Sequence, residues 1–178
     1  MNILNNMNKK IVLLLLPFIF LSSCSTDNNG EDETRDYSDY SSHQTTLDEF
    51  YSKEGRYCIY FYQLSCSHCT AIKGDIFDYI DTQDKGDKTY FKSFNIYCLG
   101  PKPSDGSLGS ERSLFDYKGT KYSDEEVASF VKEMQKNEVN TLAKTYLFGT
   151  PSLYIINNNK FEDLMYGQFD IANFLSTH

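Results

Sequence analysis

The stretch Tyr57-Cys-Ile-Tyr-Phe-Tyr-Gln-Leu64-Ser-Cys66-Ser-His-Cys69 decides how this chain is read. Its first residues are aromatic and β-branched, with no polar alternation before Gln63. That composition predicts a strand covered on both faces, as in a mostly parallel sheet. Two cysteines three residues apart follow directly. Beyond them Ile72, Ile76, Phe77 and Ile80 recur at spacings of three and four, which predicts a helix whose start carries the cysteines. Gly74 weakens that helix by about 1 kcal/mol relative to Ala.

Toward the C-terminus, residues 81–88 read as a polar connection and residues 90–99 as a second strand, parallel to the first. Residues 100–122 hold prolines, glycines, Ser and Asp, and read as a loop. Ser123-x-x-Glu126 is a capping box opening a long helix, with Val127, Phe130, Val131, Met134, Leu142 and Tyr146 on one side and Gly149 at its end. Thr150-Pro151 introduces a strand over 152–157. Asn157-Asn-Asn159 is turn chemistry, and residues 160–166 return as the hairpin partner. Asp170 is expected to cap a closing helix carrying Ile171, Phe174 and Leu175. Upstream, Thr46-x-x-Glu49 reads as the capping box of a short helix ended by Gly55. The order is helix, strand, CxxC, helix, strand, long helix, Pro, hairpin, helix, with no internal repeat. It predicts an α/β fold, a mixed central sheet flanked by helices.

The N-terminus reads as an address. Lys9 and Lys10 precede an apolar run over 11–21, broken by Pro17, and then comes Leu21-Ser-Ser-Cys24. Such a run is too short to span a bilayer, which takes about 20 residues, but suits a signal-peptide core. Leu-Ser-Ser-Cys resembles the lipobox of bacterial lipoproteins. The resemblance implies cleavage after residue 23, lipid (palmitate among it) on Cys24, and a membrane-anchored lipoprotein on the extracytoplasmic face. Residues 1–23 are then a signal peptide, 24–44 an acidic flexible tether, and 45–178 the folded domain. The tether reading rests on Asp27, Glu31, Asp32, Glu33, Asp36 and Asp39 against Arg35 alone, a composition that buries too little to order itself.

Charge excludes one class of partner. The 178-residue chain carries a formal net charge of −8. Without residues 1–23 it has 15 Lys and Arg against 25 Asp and Glu, a net charge of −10. No basic stripe exists to neutralise phosphates, so nucleic acid is not an expected partner.

Export places the cysteines where disulfides persist. Two cysteines at a helix start put one sulfur at the exposed N-terminus and the other a turn inside. The positive end of the helix favours the outer thiolate, so Cys66 is the expected nucleophile and Cys69 the resolving cysteine. His68 is placed to stabilise the Cys66 thiolate by charge or hydrogen bond. A purely structural disulfide is the plainer reading of the same pair. No second CxxC or HxxxH exists, so no metal site is expected. Cys58 reads as a core residue. Cys98 should lie at the same sheet edge as Cys66 and the opposite end from Cys58, too far to bridge it; packing or a relay thiol are its two readings.

Together, the CxxC opening the first helix after a core strand and the Thr-Pro before a terminal hairpin resemble the thioredoxin superfamily, over roughly residues 45–178. The resemblance implies a thioredoxin-like fold and a thiol–disulfide oxidoreductase. It matches Thr150-Pro151 to a substrate-positioning cis-proline site, with Cys66–Cys69 as redox-active disulfide. No organic cofactor follows from it. Electrons would come from a redox partner protein, and substrates would be exported proteins with thiols or disulfides. His before the second cysteine is similar to DsbA-type oxidases, whereas Thr before the proline looks like the isomerase branch. Ser65 stands where thioredoxins proper have Trp, and Tyr60 where they have a buried Asp. A non-catalytic accessory lipoprotein that uses the fold for binding is the alternative.

Overall fold

The computed structural model of the chain describes residues 34–100, 103–105, 107–119 and 122–178. The segments expected to be a signal peptide (1–23) and, up to residue 33, a tether, with Cys24, lie outside the described residues.

A four-stranded mixed sheet organises the molecule. It comprises β1 (Arg56–Tyr62), β2 (Ser93–Cys98), β5 (Ser152–Asn157) and β6 (Lys160–Tyr166), in the order β2-β1-β5-β6. β2 runs parallel to β1, with Tyr62 opposite Cys98, while β5 and β6 are antiparallel neighbours in turn. A two-stranded parallel pair, β3 (Asp116–Tyr117) and β4 (Tyr146–Leu147), stands apart. Among the described residues the α-helices are α1 (Ser67–Asp84), a single turn α2 (Gly109–Arg112), α3 (Asp124–Lys136) and α4 (Gln168–Thr177).

β1 is buried along both faces because strand side chains alternate and both faces are roofed. Cys58, Tyr60 and Tyr62 join Ile72, Ile76, Phe77 and Ile80 of α1 with Ile171, Phe174 and Leu175 of α4. Tyr57, Ile59 and Phe61 join Phe50 and the α3 residues Val127, Val131 and Met134. Each such aliphatic or Phe side chain contributes about 1.5–3 kcal/mol on leaving water. The expected α/β sandwich is therefore the observed one.

Local boundaries differ from expectation, each for a visible reason. The folded part begins before residue 45. Tyr37–His43 is a 3-10 helix, opened by a capping box at Asp36, and its Tyr37 and Tyr40 are buried. Tyr37 stacks on Tyr62 with ring centroids 3.7 Å apart, and Tyr40 stacks on Phe77 at 4.2 Å. His43 bonds the Phe94 carbonyl and Asp84, and Arg35 pairs with Asp78 and Asp81 of α1. A charge count overlooked two tyrosines three apart, whose aromatic surface suffices to dock the strap. The Thr46 side chain makes no cap; instead the Thr45 hydroxyl donates to Glu49 at 2.7 Å. α1 continues through residues 81–84, which had read as connection.

α3 opens on the expected Ser123–Glu126 capping box but stops at Lys136. Glu138 adopts a φ of +47°, and Val139 turns into the core, where its carbonyl accepts the Phe161 N–H. Leu142 and Tyr146 therefore belong to a later 3-10 turn and β4. Within residues 100–122, read as loop, Glu111 of α2 holds both the Tyr97 hydroxyl and the Gly100 N–H. Gly167, at a φ of +88°, is the N-cap of α4, and Asp170 sits in the first turn without capping.

Candidate functional site

The site forms where β1 ends and α1 begins. After Tyr62 the chain turns through Gln63-Leu64-Ser65, closed by the Cys66 N–H on the Gln63 carbonyl at 3.2 Å. Cys66 is extended and serves as N-cap of α1, its Sγ accepting the Cys69 backbone N–H at 3.1 Å. A cysteine here does the work usually done by Ser or Asp: it satisfies one of the unpaired N–H groups of the first turn. Cys66 and Cys69 are joined in a disulfide, Cα to Cα 5.2 Å. Cys66 is half-buried, whereas Cys69 is 1% exposed and packs with Ile72. One sulfur is thus reachable and the other shielded.

From across the sheet the loop before β5 meets this pair. The Thr150–Pro151 peptide is cis, and the Thr150 carbonyl oxygen lies 3.5 Å from Cys66 Sγ. The Thr150 hydroxyl donates to Gln63 Oε1 at 3.0 Å, and Gln63 Nε2 donates to the Gly100 carbonyl at 2.9 Å. The Pro151 carbonyl accepts the Gly167 N–H at 3.0 Å, which hangs the start of α4 from the same loop.

His68 lies in the first turn of α1, exposed, and its ring does not bond Cys66 in this disulfide state. Its Nδ1 is 2.6 Å from Gln168 Oε1, on the first residue of α4. Two large apolar side chains stand out beside the site: Leu64 is 77% exposed and Phe169 79%. Cys66, Cys69, His68, Thr150 and Pro151 are therefore brought together. Gln63, Gln168, Leu64 and Phe169 were not singled out from sequence. An exposed Leu next to a CxxC was the available signal; the two glutamines carry none.

Tyr60, six residues before Cys66, is wholly buried, and its hydroxyl has no hydrogen-bond partner among the described residues. Burial pushes its ionisation well above the usual tyrosine value, so it carries no charge near neutrality. Cys58 and Cys98 are free thiols at opposite ends of their strands. Burial raises both, most strongly the enclosed Cys58; at Cys98 a contact with the Tyr62 hydroxyl works against it, and the Glu111 charge adds to it. Neither is a ready thiolate at neutral pH. No cluster of metal-ligating side chains occurs among the described residues.

Chemically, the arrangement offers a reachable sulfur at a positive helix end, a shielded partner sulfur, and a backbone edge beside them. No protein-family model matches the chain, and no curated protein matches it. Solved structures to which it is similar include mitochondrial thioredoxin 3 from Saccharomyces cerevisiae in oxidized form, at 14% identity over 75% of this chain and 90% of that one, TM-score 0.37. Thioredoxin from Aeropyrum pernix matches at 18% identity over 75% and 81%, TM-score 0.37. Thioredoxin f2 of Chlamydomonas reinhardtii matches at 13% over 76% and 94%, TM-score 0.34. The chain's own features carry more: the strand order, the CxxC at the start of α1 and the cis Thr150–Pro151 make the thioredoxin-like arrangement that the sequence implied.

Proposed function

We propose that this chain is a protein thiol–disulfide oxidoreductase, held by lipid on Cys24 at the extracytoplasmic face of a membrane and acting on exported proteins. The observation that carries the redox reading is the Cys66–Cys69 disulfide, one sulfur reachable and one shielded, beside the Thr150 carbonyl. The location rests on the N-terminal sequence alone.

In the oxidising direction a substrate thiolate attacks Cys66 Sγ and the Cys66–Cys69 bond breaks. Cys69 leaves as thiolate and takes a proton. A second substrate thiolate attacks the mixed disulfide, forming the substrate disulfide and releasing Cys66. The substrate loses two electrons and the enzyme pair gains them. The reducing direction is the same path reversed, with Cys66 attacking and Cys69 resolving. The Cys69 N–H aimed at Sγ and the helix end both stabilise a Cys66 thiolate, which lowers the cost of either passage. The Thr150 backbone beside Cys66 suits an extended polypeptide, and Leu64 and Phe169 offer apolar contacts to residues flanking the substrate cysteine.

The test is equilibration of the pair with glutathione buffers. A potential near about −120 mV makes it a donor of disulfides, and one near about −270 mV makes it a reductant needing an electron supply. A pair still oxidised below about −300 mV is a structural disulfide, and the enzyme reading falls.

A further inference from the structure

Three contacts and the chain itself close a ring around the redox pair. Cys66 Sγ meets the Thr150 carbonyl, the Pro151 carbonyl takes the Gly167 N–H, Gln168 follows Gly167, and Gln168 Oε1 meets His68 Nδ1, two residues from Cys66. The start of α4 is thereby fixed to the loop that faces the disulfide. An amide oxygen accepts hydrogen bonds and cannot donate them. At 2.6 Å from Gln168 Oε1, the intervening hydrogen therefore belongs to His68 Nδ1.

We propose that Gln168 is a positioning residue of the redox site, holding the His68 imidazole in its Nδ1–H form so that Nε2 is the nitrogen offered to the sulfur chemistry. A histidine's second nitrogen is set by the bond its first one makes. With Nδ1–H engaged, the neutral ring presents a lone pair at Nε2. That atom takes the proton when the Cys66 thiol becomes thiolate, and returns it to the thiolate that leaves. Without Gln168 the ring is free to rotate and to exchange tautomers, and an exposed side chain does both readily. The proton acceptor at Nε2 is then presented in only part of the population. This inference rests on the oxidoreductase reading for its consequence, though not for its geometry.

The experiment uses the full chain in detergent micelles, with ¹⁵N-labelled histidine. His68 ring nitrogen shifts are recorded in the wild type, Gln168→Leu and Gln168→Glu, and each protein is equilibrated with glutathione. The wild type is expected to carry hydrogen on Nδ1. Gln168→Leu should lose that preference, and Gln168→Glu, which keeps an acceptor oxygen, should retain it. The glutathione equilibrium of Gln168→Leu should shift about two- to tenfold, the range that one hydrogen bond commands. In a His68→Ala background the same substitution should leave the equilibrium unchanged. An Nε2–H tautomer in the wild type, or an equal shift with and without His68, overturns the proposal. If the wild-type pair does not exchange with glutathione at all, the oxidoreductase reading fails, while the tautomer measurement still decides what Gln168 does.

Discussion

The Thr150 hydroxyl donates to Gln63 Oε1 at 3.0 Å across 87 residues of chain, and the same amide donates to the Gly100 carbonyl. One side chain at the end of β1 thus ties together the loop beside the disulfide and the exit of β2. Gln63→Leu keeps the volume and removes both bonds, leaving a half-buried hydroxyl and a carbonyl to find other partners. Loss of about 1–3 kcal/mol is expected in chemical unfolding, together with slower exchange toward a model peptide disulfide. An unchanged exchange rate would show that Thr150 holds its place without Gln63.

The proposed mechanism, with one sulfur reachable and the other shielded, predicts an order of action. Cys69→Ala should accumulate mixed disulfides through Cys66, because the resolving thiol is gone. Cys66→Ala should form none, since Cys69 is 1% exposed. Non-reducing electrophoresis with mass mapping distinguishes the two, and adducts on Cys69 in the second variant would reverse the assignment.

Tyr60 places a hydroxyl in the apolar layer under α1 near the Tyr37 hydroxyl, and neither makes a well-formed hydrogen bond among the described residues. A buried group left unbonded costs about 1–3 kcal/mol. Tyr60→Phe should therefore raise stability by about 1 kcal/mol and leave the glutathione equilibrium where it was. Destabilisation would reveal a hydrogen bond or a bound water at that hydroxyl.

Asp163 lines the cleft between α3 and β6, with Asp124 and Asp170 around it. Burial raises its pKa above the usual carboxylate value, against the lowering effect of the Leu164 N–H; burial and then Asp124 raise Asp170 as well. A carboxyl raised by folding favours the native state while protonated. That contribution is complete below the ordinary Asp range and is lost as pH climbs through the raised native value. Asp163→Asn keeps an acceptor for Leu164 and carries no charge. It should be more stable than the wild type at pH 7, with the margin closing below about pH 4, as read from unfolding midpoints at both pH values.

The anchor is tested apart from the fold. Cys24→Ser should abolish labelling by radioactive palmitate and release the chain from membranes, with redox behaviour unaltered. Persistent membrane association would mean that residues 1–23 stay attached and serve as the anchor.

Much of this was written locally. The run from Tyr57 to Tyr62 could only be a doubly covered strand, because six successive buried positions leave no polar face to point at water. The Cys66–Cys69 spacing and the Ile72, Ile76, Ile80 periodicity placed a helix start on that strand's end, and the Ser123 capping box opened α3 where expected. Such features depend on neighbours within one turn or one strand, so the chain spells them out. Where α3 stops was not spelled out. Val139 leaves the helix because β6 offers its core position and, from Phe161, 22 residues later, a donor for its carbonyl. Nor did composition foretell the strap, since the burial of Tyr37 and Tyr40 depends on folding bringing the Tyr62 and Phe77 rings together to stack on them. The glutamines are the clearest case. Gln63 and Gln168 read as ordinary polar residues, and acquire roles only because folding brings Thr150 to one and His68 to the other, 87 and 100 residues away. Local chemistry placed the two sulfurs of the disulfide; the surroundings that orient them exist only once the sheet has closed.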